Sequence, residues 1–432
     1  APTEPTEPTD PTEPTDPTEP TEPTEPAPSD PAPSDPEPTE PEPTPTPTPT
    51  PSNPDYPAPT YWVSTTGNDK NDGRTSGTAF RTIGKALSVV RPGDVVYIRG
   101  GVYKEYVSAD RFRTSGQPGK PITIMGAPGE RPIIDGSDKK NTGTNPSAPQ
   151  LVYVVDRDWY VFQNLELRNA GGRGLQLVGD HHVVRDLVIH GNHGDGILIK
   201  GSYNLIEDTV SYDNYSYNNG GDSADGIKID YGTGNVLRRV VTYENSDDGI
   251  DLWDSTDTLV EYSVSYRNGR GTTGNGQGFK LSNGSRANSG NVIRYNVAFS
   301  NRAYNFTDNG GGGILMYNNT SFDAGLKGFV ARGRSGQTAS RLYNNISFNE
   351  DKPLIDTQSG STKPVHANNS WNLSISDPAF ASTDPSSSQF LRLRSTSKAI
   401  DAGTDMGQEY AGKAPDLGAF EYGLPAIVAG AY

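Results

Sequence analysis

The 432-residue chain has no cysteine, so no disulfide can staple it and its stability must come from packing. No run of 18 apolar residues occurs, which excludes a membrane-spanning helix. Histidine is scarce: there are five, none at zinc-ligand spacing, and His181 and His182 are adjacent. Basic charge is missing from one end altogether. Residues 1–60 hold 14 acids and no lysine or arginine, so most of the net charge of −16 belongs there; the remainder has 39 acids against 37 bases. With that near balance, no nucleic-acid partner is expected.

The acidic end is a Pro-Thr repeat, APTEPTEPTD running on to PTPTPTPTP, with almost nothing to bury. Such a segment stays disordered and extends at about 3.1 Å per residue as polyproline II. Residues 1–59 are therefore expected to be a linker to another module or to a cell surface; a solubilising tail is the plainer alternative. Composition of this kind suits exported proteins, so a secreted, extracellular location is expected, with any leader lost on maturation. The remaining residues, 60–432, are expected to form one elongated, monomeric domain.

That domain repeats itself. VSYDN, VTYEN, VSYRN and VAFSN share one phrase, with aromatics Tyr212, Tyr243, Tyr266 and Phe299. Asn169, Asn192, Asn214, Asn245, Asn268 and Asn301 follow at spacings of 23, 22, 31, 23 and 33 residues. A period near 22–23 with loops inserted in some turns predicts an all-β parallel β-helix, a single-stranded solenoid over about 120–360. Like positions then stack about 4.8 Å apart, so the asparagines and aromatics form ladders, the aromatics facing inward. FRTIGKALSVV places Phe80, Ile83, Leu87 and Val90 on one helical face and predicts a capping helix within an N-terminal cap over about 60–110. Residues 370–425 or so are expected to close the far end.

A second phrase runs in register with the first: GLQL, GILI, GIKI, GIDL, GFKL and GFVA. Alternation puts the apolar residues inside and the variable residue outside. The outward column therefore reads Gln176, Leu198, Lys228, Asp251, Lys280, Thr307. Preceding the glycines are Asp195, Asp225, Asp248 and Gln277. Asp225, Asp247, Asp248 and Asp251 should converge from two adjacent coils, and such crowded carboxylates need a neutralising cation. Oxygen-only ligands favour Ca²⁺ over zinc. Extra residues in 214–226 and 268–278 would wall a groove over the site. Lys280 has two readings at this point: an ion pair across the ladder, or a Brønsted base with a lowered pKa.

ADGIKI, NSDDGIDLWD and GNGQGFKL, in this order on a β-helix, resemble the pectate lyases of polysaccharide lyase family 9. The resemblance covers about residues 60–425 and implies a right-handed parallel β-helix. It implies calcium held by four aspartates, matching Asp225, Asp247, Asp248 and Asp251, and a catalytic lysine matching Lys280. The implied reaction is β-elimination on polygalacturonate, the acid chain of pectin: Lys280 removes the C5 proton and leaves a 4,5-unsaturated uronate, with an alkaline optimum. Arg302 and Lys228 are candidates for gripping neighbouring uronate carboxylates, with structural ion pairs as the alternative. Three rivals stand beside this reading: a polygalacturonase-type hydrolase, a lyase on another uronate polymer such as alginate, and a calcium-stabilised adhesin or glycan-binding module. The hydrolase phrases NTD, GHG and RIK are absent, and an adhesin has no need of Lys280 beside the acids.

Overall fold

A computed structural model describes residues 56–137, 149–283, 288–355 and 360–426. Residues 1–55, nearly all of the expected linker, lie outside them. The described chain winds as a parallel β-helix in which most coils carry three short strands, the second and third running together in earlier coils as Tyr160–Arg168 and Val183–His190. One coil supplies Ile227–Asp230, Val236–Arg238 and Val241–Tyr243; the next supplies Ile250–Trp253, Leu259–Glu261 and Val264–Tyr266. Each pairs in parallel with its counterpart. Stacking the coils builds three sheet faces, of which the one bearing the GIKI-type strands has nine strands among the described residues.

Inward alternation fills the solenoid. Ile227, Ile229, Ile250, Leu252, Phe279 and Leu281 come from the first face, and Leu237, Val260, Ile293 and Met316 from the second; all are fully buried. Phe279, Phe306 and Phe329 stack at 4.8 Å, and Trp371 lies 5.4 Å from Phe329 at the end of that stack.

The bends explain the asparagine period. Nδ2 of Asn192, Asn214, Asn245 and Asn268 each donates to the Oδ1 of the next, at 2.9, 2.8, 3.0 and 3.0 Å, ending on Asn301. Asp213, Glu244, Arg267 and Ser300, just before these asparagines, have φ of 51–53°. That left-handed conformation is costly for residues with a side chain, and the buried amide ladder holds it. Asn169 falls one place short of the column: the Ala170 N–H donates to Asn192 Oδ1 at 3.0 Å, so Ala170 occupies the ladder position. A second column, Asn296–Asn319–Asn345–Asn369, runs along another bend.

Three further expectations change. The aromatic ladder stacks as foreseen, with Tyr212–Tyr243 at 4.6 Å and Tyr266–Phe299 at 4.7 Å, but it stands outside the solenoid. The inward residues of those strands are Ser211, Thr242, Ser265 and Ala298, because the space beside the asparagine column admits only small side chains. The outer aromatics are covered instead by the C-terminal stretch, whose Ile375, Phe380, Phe390, Leu393, Leu417 and Phe420 pack on them. That stretch therefore lies along the side of the solenoid rather than over its end. At the other end the capping helix is only Ile83–Leu87, with Thr82 Oγ1 accepting from the Lys85 N–H. Phe80, Ile83, Leu87 and Val90 are all buried as expected, but Phe80 is extended and bridges to Val63.

Candidate metal centre and active site

The outward column of the first face forms in the expected register. Gln176 lies beside Leu198, then come Lys228, Asp251, Lys280 and Thr307, each paired with the next coil. The pre-glycine column is a ladder too. The Asp225 N–H donates to Asp195 Oδ1 at 3.2 Å, the Asp248 N–H to Asp225 Oδ1 at 3.0 Å, and the Gln277 N–H to Asp248 Oδ1 at 2.8 Å. Glycine follows because the bend is closed: a Cβ at Gly249 would sit 1.9 Å from Ser265 Oγ.

One carboxylate oxygen each from Asp225, Asp247 and Asp248 lies within 4.8 Å of the others, and all three residues are buried. Asp251, fully buried beside them, turns to the lysines. Its Oδ2 accepts from Lys228 Nζ at 2.7 Å and Lys280 Nζ at 3.1 Å, while its Oδ1 is buried without a partner. Lys280 Nζ also reaches Asp248 Oδ2 at 3.0 Å, and its side chain is 7% exposed. Four buried carboxylates thus face two ammonium groups, leaving two negative charges uncompensated. Burial pushes the Asp225 and Asp247 carboxyls above the usual range and raises Asp248 to about 7. Burial alone would discharge Lys280, but the carboxylates of Asp251, Asp248 and Asp225 outweigh it and hold the ammonium well above an ordinary lysine. Lys228 is raised by the same opposition, burial against Asp225 and Asp251.

A hard cation fits this set. Its donors are all oxygen, its charge deficit is that of one divalent ion, and Asp251 Oδ1 is an orphaned acceptor that such an ion would satisfy. Asp247 also ties the inserted loops to the cluster, because its carboxylate accepts from the N–H groups of Ser223 and Asn275, one in each loop. The loops also meet each other, the Thr272 N–H donating to the Gly220 carbonyl at 2.6 Å. Arg302 donates to the Gly271 carbonyl, which ties its guanidinium to the second loop. The structure thus gathers Lys228, Lys280 and the four aspartates, and ties Arg302 to the second inserted loop.

Three features escaped the sequence reading. Trp253 follows Asp251 by two, on the same outward side, with Lys280 Nζ and Lys228 Nζ at 5.3 and 5.5 Å from its ring centre; alternation alone would have found it. Gln277 carries a buried Oε1 without a partner. Arg332 and Arg334 line a cleft next to Thr307, just past the GFVA strand.

Residues 61–345 match the family described as the Pel9A-like, right handed beta helix region. The chain belongs to this family. Pectate lyase L of Dickeya dadantii (strain 3937) is 33% identical over 395 residues, covering 84% of this chain and 90% of the relative. The crystal structure of pectate lyase Pel9A superposes with a TM-score of 0.73 at 31% identity, covering 84% of this chain and 96% of that one. A rhamnogalacturonan lyase structure follows at TM-score 0.65 and 25% identity, with 78% and 97% covered. The solenoid is accordingly the right-handed parallel β-helix of the Pel9A-like family.

Proposed function

We propose that the protein is a calcium-dependent pectate lyase cleaving α-1,4-linked polygalacturonate by β-elimination. Its relatives make it a polysaccharide lyase of the pectate lyase type. The observation that carries the finer reading is the placement of Lys280 Nζ, 3.0–3.1 Å from Asp248 and Asp251, in a buried cluster two positive charges short. Calcium held by Asp225, Asp247, Asp248 and Asp251 would neutralise the uronate carboxylate and so acidify the C5 proton.

On this reading Lys280 takes that proton at Nζ; the C4–O bond breaks, the glycosidic oxygen leaves with the electron pair and takes a proton from solvent, and a 4,5-unsaturated end remains. Asp248 and Asp251 set its readiness. While both accept from Nζ the amine stays protonated, and engaging their oxygens elsewhere frees it to act as a base. Lys228 keeps a fixed positive charge one coil before Asp251, where it balances the carboxylates of Asp251 and Asp225. Arg302 contributes by holding the 268–278 loop. Residues 1–59 act on this reading as a linker of a secreted enzyme.

The test is ultraviolet absorbance of polygalacturonate with calcium, with a chelator, and with Lys280→Ala. Absorbance should rise with calcium, stop with chelator, and fall about 10²–10⁴-fold in the variant, the range of a removed general base. Chelator-resistant reducing ends without absorbance would instead mean hydrolysis. Absorbance on rhamnogalacturonan but not on polygalacturonate would move the substrate to that of the second neighbour.

A further inference from the structure

The basic residues of the site face are nearly all committed. Arg173 pairs with Asp195 and Lys200 with Asp230, while Lys228 and Lys280 share Asp251. Arg332 and Arg334 differ: among the described residues neither guanidinium forms an ion pair. The acid whose field reaches Arg332 is Asp308, and its carboxylate is already occupied by the backbone N–H groups of Gly310 and Arg332. Arg332 and Arg334 line an open cleft of about 430 Å³ with Gln277, Tyr304, Thr307 and Asn309.

This cleft is continuous with the catalytic cluster. Thr307 is the strand partner of Lys280, and the Gln277 N–H binds Asp248. It therefore begins one coil, about 4.8 Å, from the base. Gln277 is 7% exposed, and its Oε1 has no donor. Leaving a buried acceptor unpaired is costly. A ligand that suits the cleft brings a carboxylate for guanidinium forks and hydroxyl donors for Oε1. A neutral sugar leaves the arginines unused, and a bare phosphate brings Oε1 no dependable donor. A uronate sugar has both groups.

We propose that this cleft is the subsite for a uronate adjacent to the one deprotonated by Lys280, with Arg332 and Arg334 binding its carboxylate and Gln277 Oε1 accepting one of its hydroxyls. This rests on the lyase reading above. It also moves the gripping of a neighbouring carboxylate from Arg302, which is tied to Gly271, to the two arginines that line the cleft.

The test uses the full chain with calcium, as Arg332→Ala, Arg334→Ala and the double variant. Tetragalacturonate binding is measured by calorimetry in a Lys280→Ala background. Binding of its fully methyl-esterified form is measured in the same background, and rates on polygalacturonate are measured with Lys280 intact. The double variant should bind tetragalacturonate about ten- to hundredfold more weakly. KM for polygalacturonate should rise with kcat within about threefold, the mark of lost uniform binding. Binding of the esterified tetramer should be unchanged, because its carboxyls carry no charge. Double replacement by lysine should restore part of the affinity, which a folding defect would not allow. Unchanged tetragalacturonate binding in an enzyme that still releases unsaturated uronate would overturn the subsite alone. An equal loss of binding for the charged and the esterified tetramer would overturn it too, since the arginines would then not be reading charge. Weakened binding in a protein that releases no unsaturated product would retain the subsite and overturn the lyase reading.

Discussion

Glu350 occupies, two coils past Asn301, the bend position that asparagine fills in the earlier coils. Phe299 pairs with Phe322 and Phe322 with Phe348, which brings 301, 324 and 350 into one column. The column is mostly amide because an amide both donates and accepts without charge. Glu350 when ionised can only accept, and its oxygens do so from Ser321 and Ser347 Oγ and, at 3.5 Å, from Asn305 Nδ2. Burial pushes its carboxyl up to about 7, and those hydrogen bonds only partly oppose the shift. A raised folded-state pKa favours the protonated form. Its contribution is therefore complete below the unfolded value near 4.5 and is lost as pH rises through about 7. Glu350→Gln, neutral at every pH, should match wild type near pH 4 and be more stable at pH 8, by about 3 kcal/mol. Thermal or denaturant unfolding across that range measures the difference. A constant offset at all pH values would show that the carboxyl ionises alike in both states.

At the scale of the element, the glycine that opens each site-face strand matters as much as the acids around it. Gly249 separates Asp248 from the strand carrying Asp251, and a Cβ there would meet Ser265 Oγ at 1.9 Å and Thr242 Oγ1 at 2.7 Å. Nothing in that closed bend can yield without moving the asparagine column. Gly249→Ala should cost about 1–3 kcal/mol by overpacking. It should also weaken calcium binding, read by titration calorimetry, because the bend sets the distance between Asp248 and its neighbours. An affinity equal to wild type would mean that the carboxylates find their positions without the bend. These strands were the most legible part of the sequence. A two-residue alternation, repeated in register, placed Lys228, Asp251 and Lys280 side by side, and the β-ladder keeps them so. What alternation could not give was sidedness in the V-S-Y strands, where valine and tyrosine share one side and serine the other. Apolar residues suggested an interior, but the interior there is narrow and the covering chain comes from residues distant in sequence. Nor could the phrases reveal that Asp247 accepts from both inserted loops, since that depends on where the Ser223 and Asn275 backbones return.

For the molecule as a whole, the covering stretch changes what a solenoid usually implies. Stacked coils contact only their neighbours, so stability is close to a sum along the axis. Here the segment from Ile375 to Phe420 lies across several coils and joins them from outside. Phe390 is a buried aromatic anchor of that stretch, 2% exposed, with its ring edge-on to Phe299 at 4.9 Å and to Phe322 at 6.1 Å. Removing that ring leaves a cavity bounded by two coils, and Phe→Ala changes of this kind cost about 3–5 kcal/mol. Phe390→Ala should therefore lower the unfolding free energy by that amount and loosen neighbouring coils together. Hydrogen exchange should speed up in Val297–Phe299, Thr320–Phe322 and the covering stretch. It should stay slow in Ile227–Asp230 and Ile250–Trp253, which hold the acids on a different face. KM for polygalacturonate should not move, since Phe390 packs on the aromatic ladder and the groove lies on the first face. Exchange that rose equally in every coil would mean that the solenoid unfolds as one unit and that the covering stretch sets the stability of the whole.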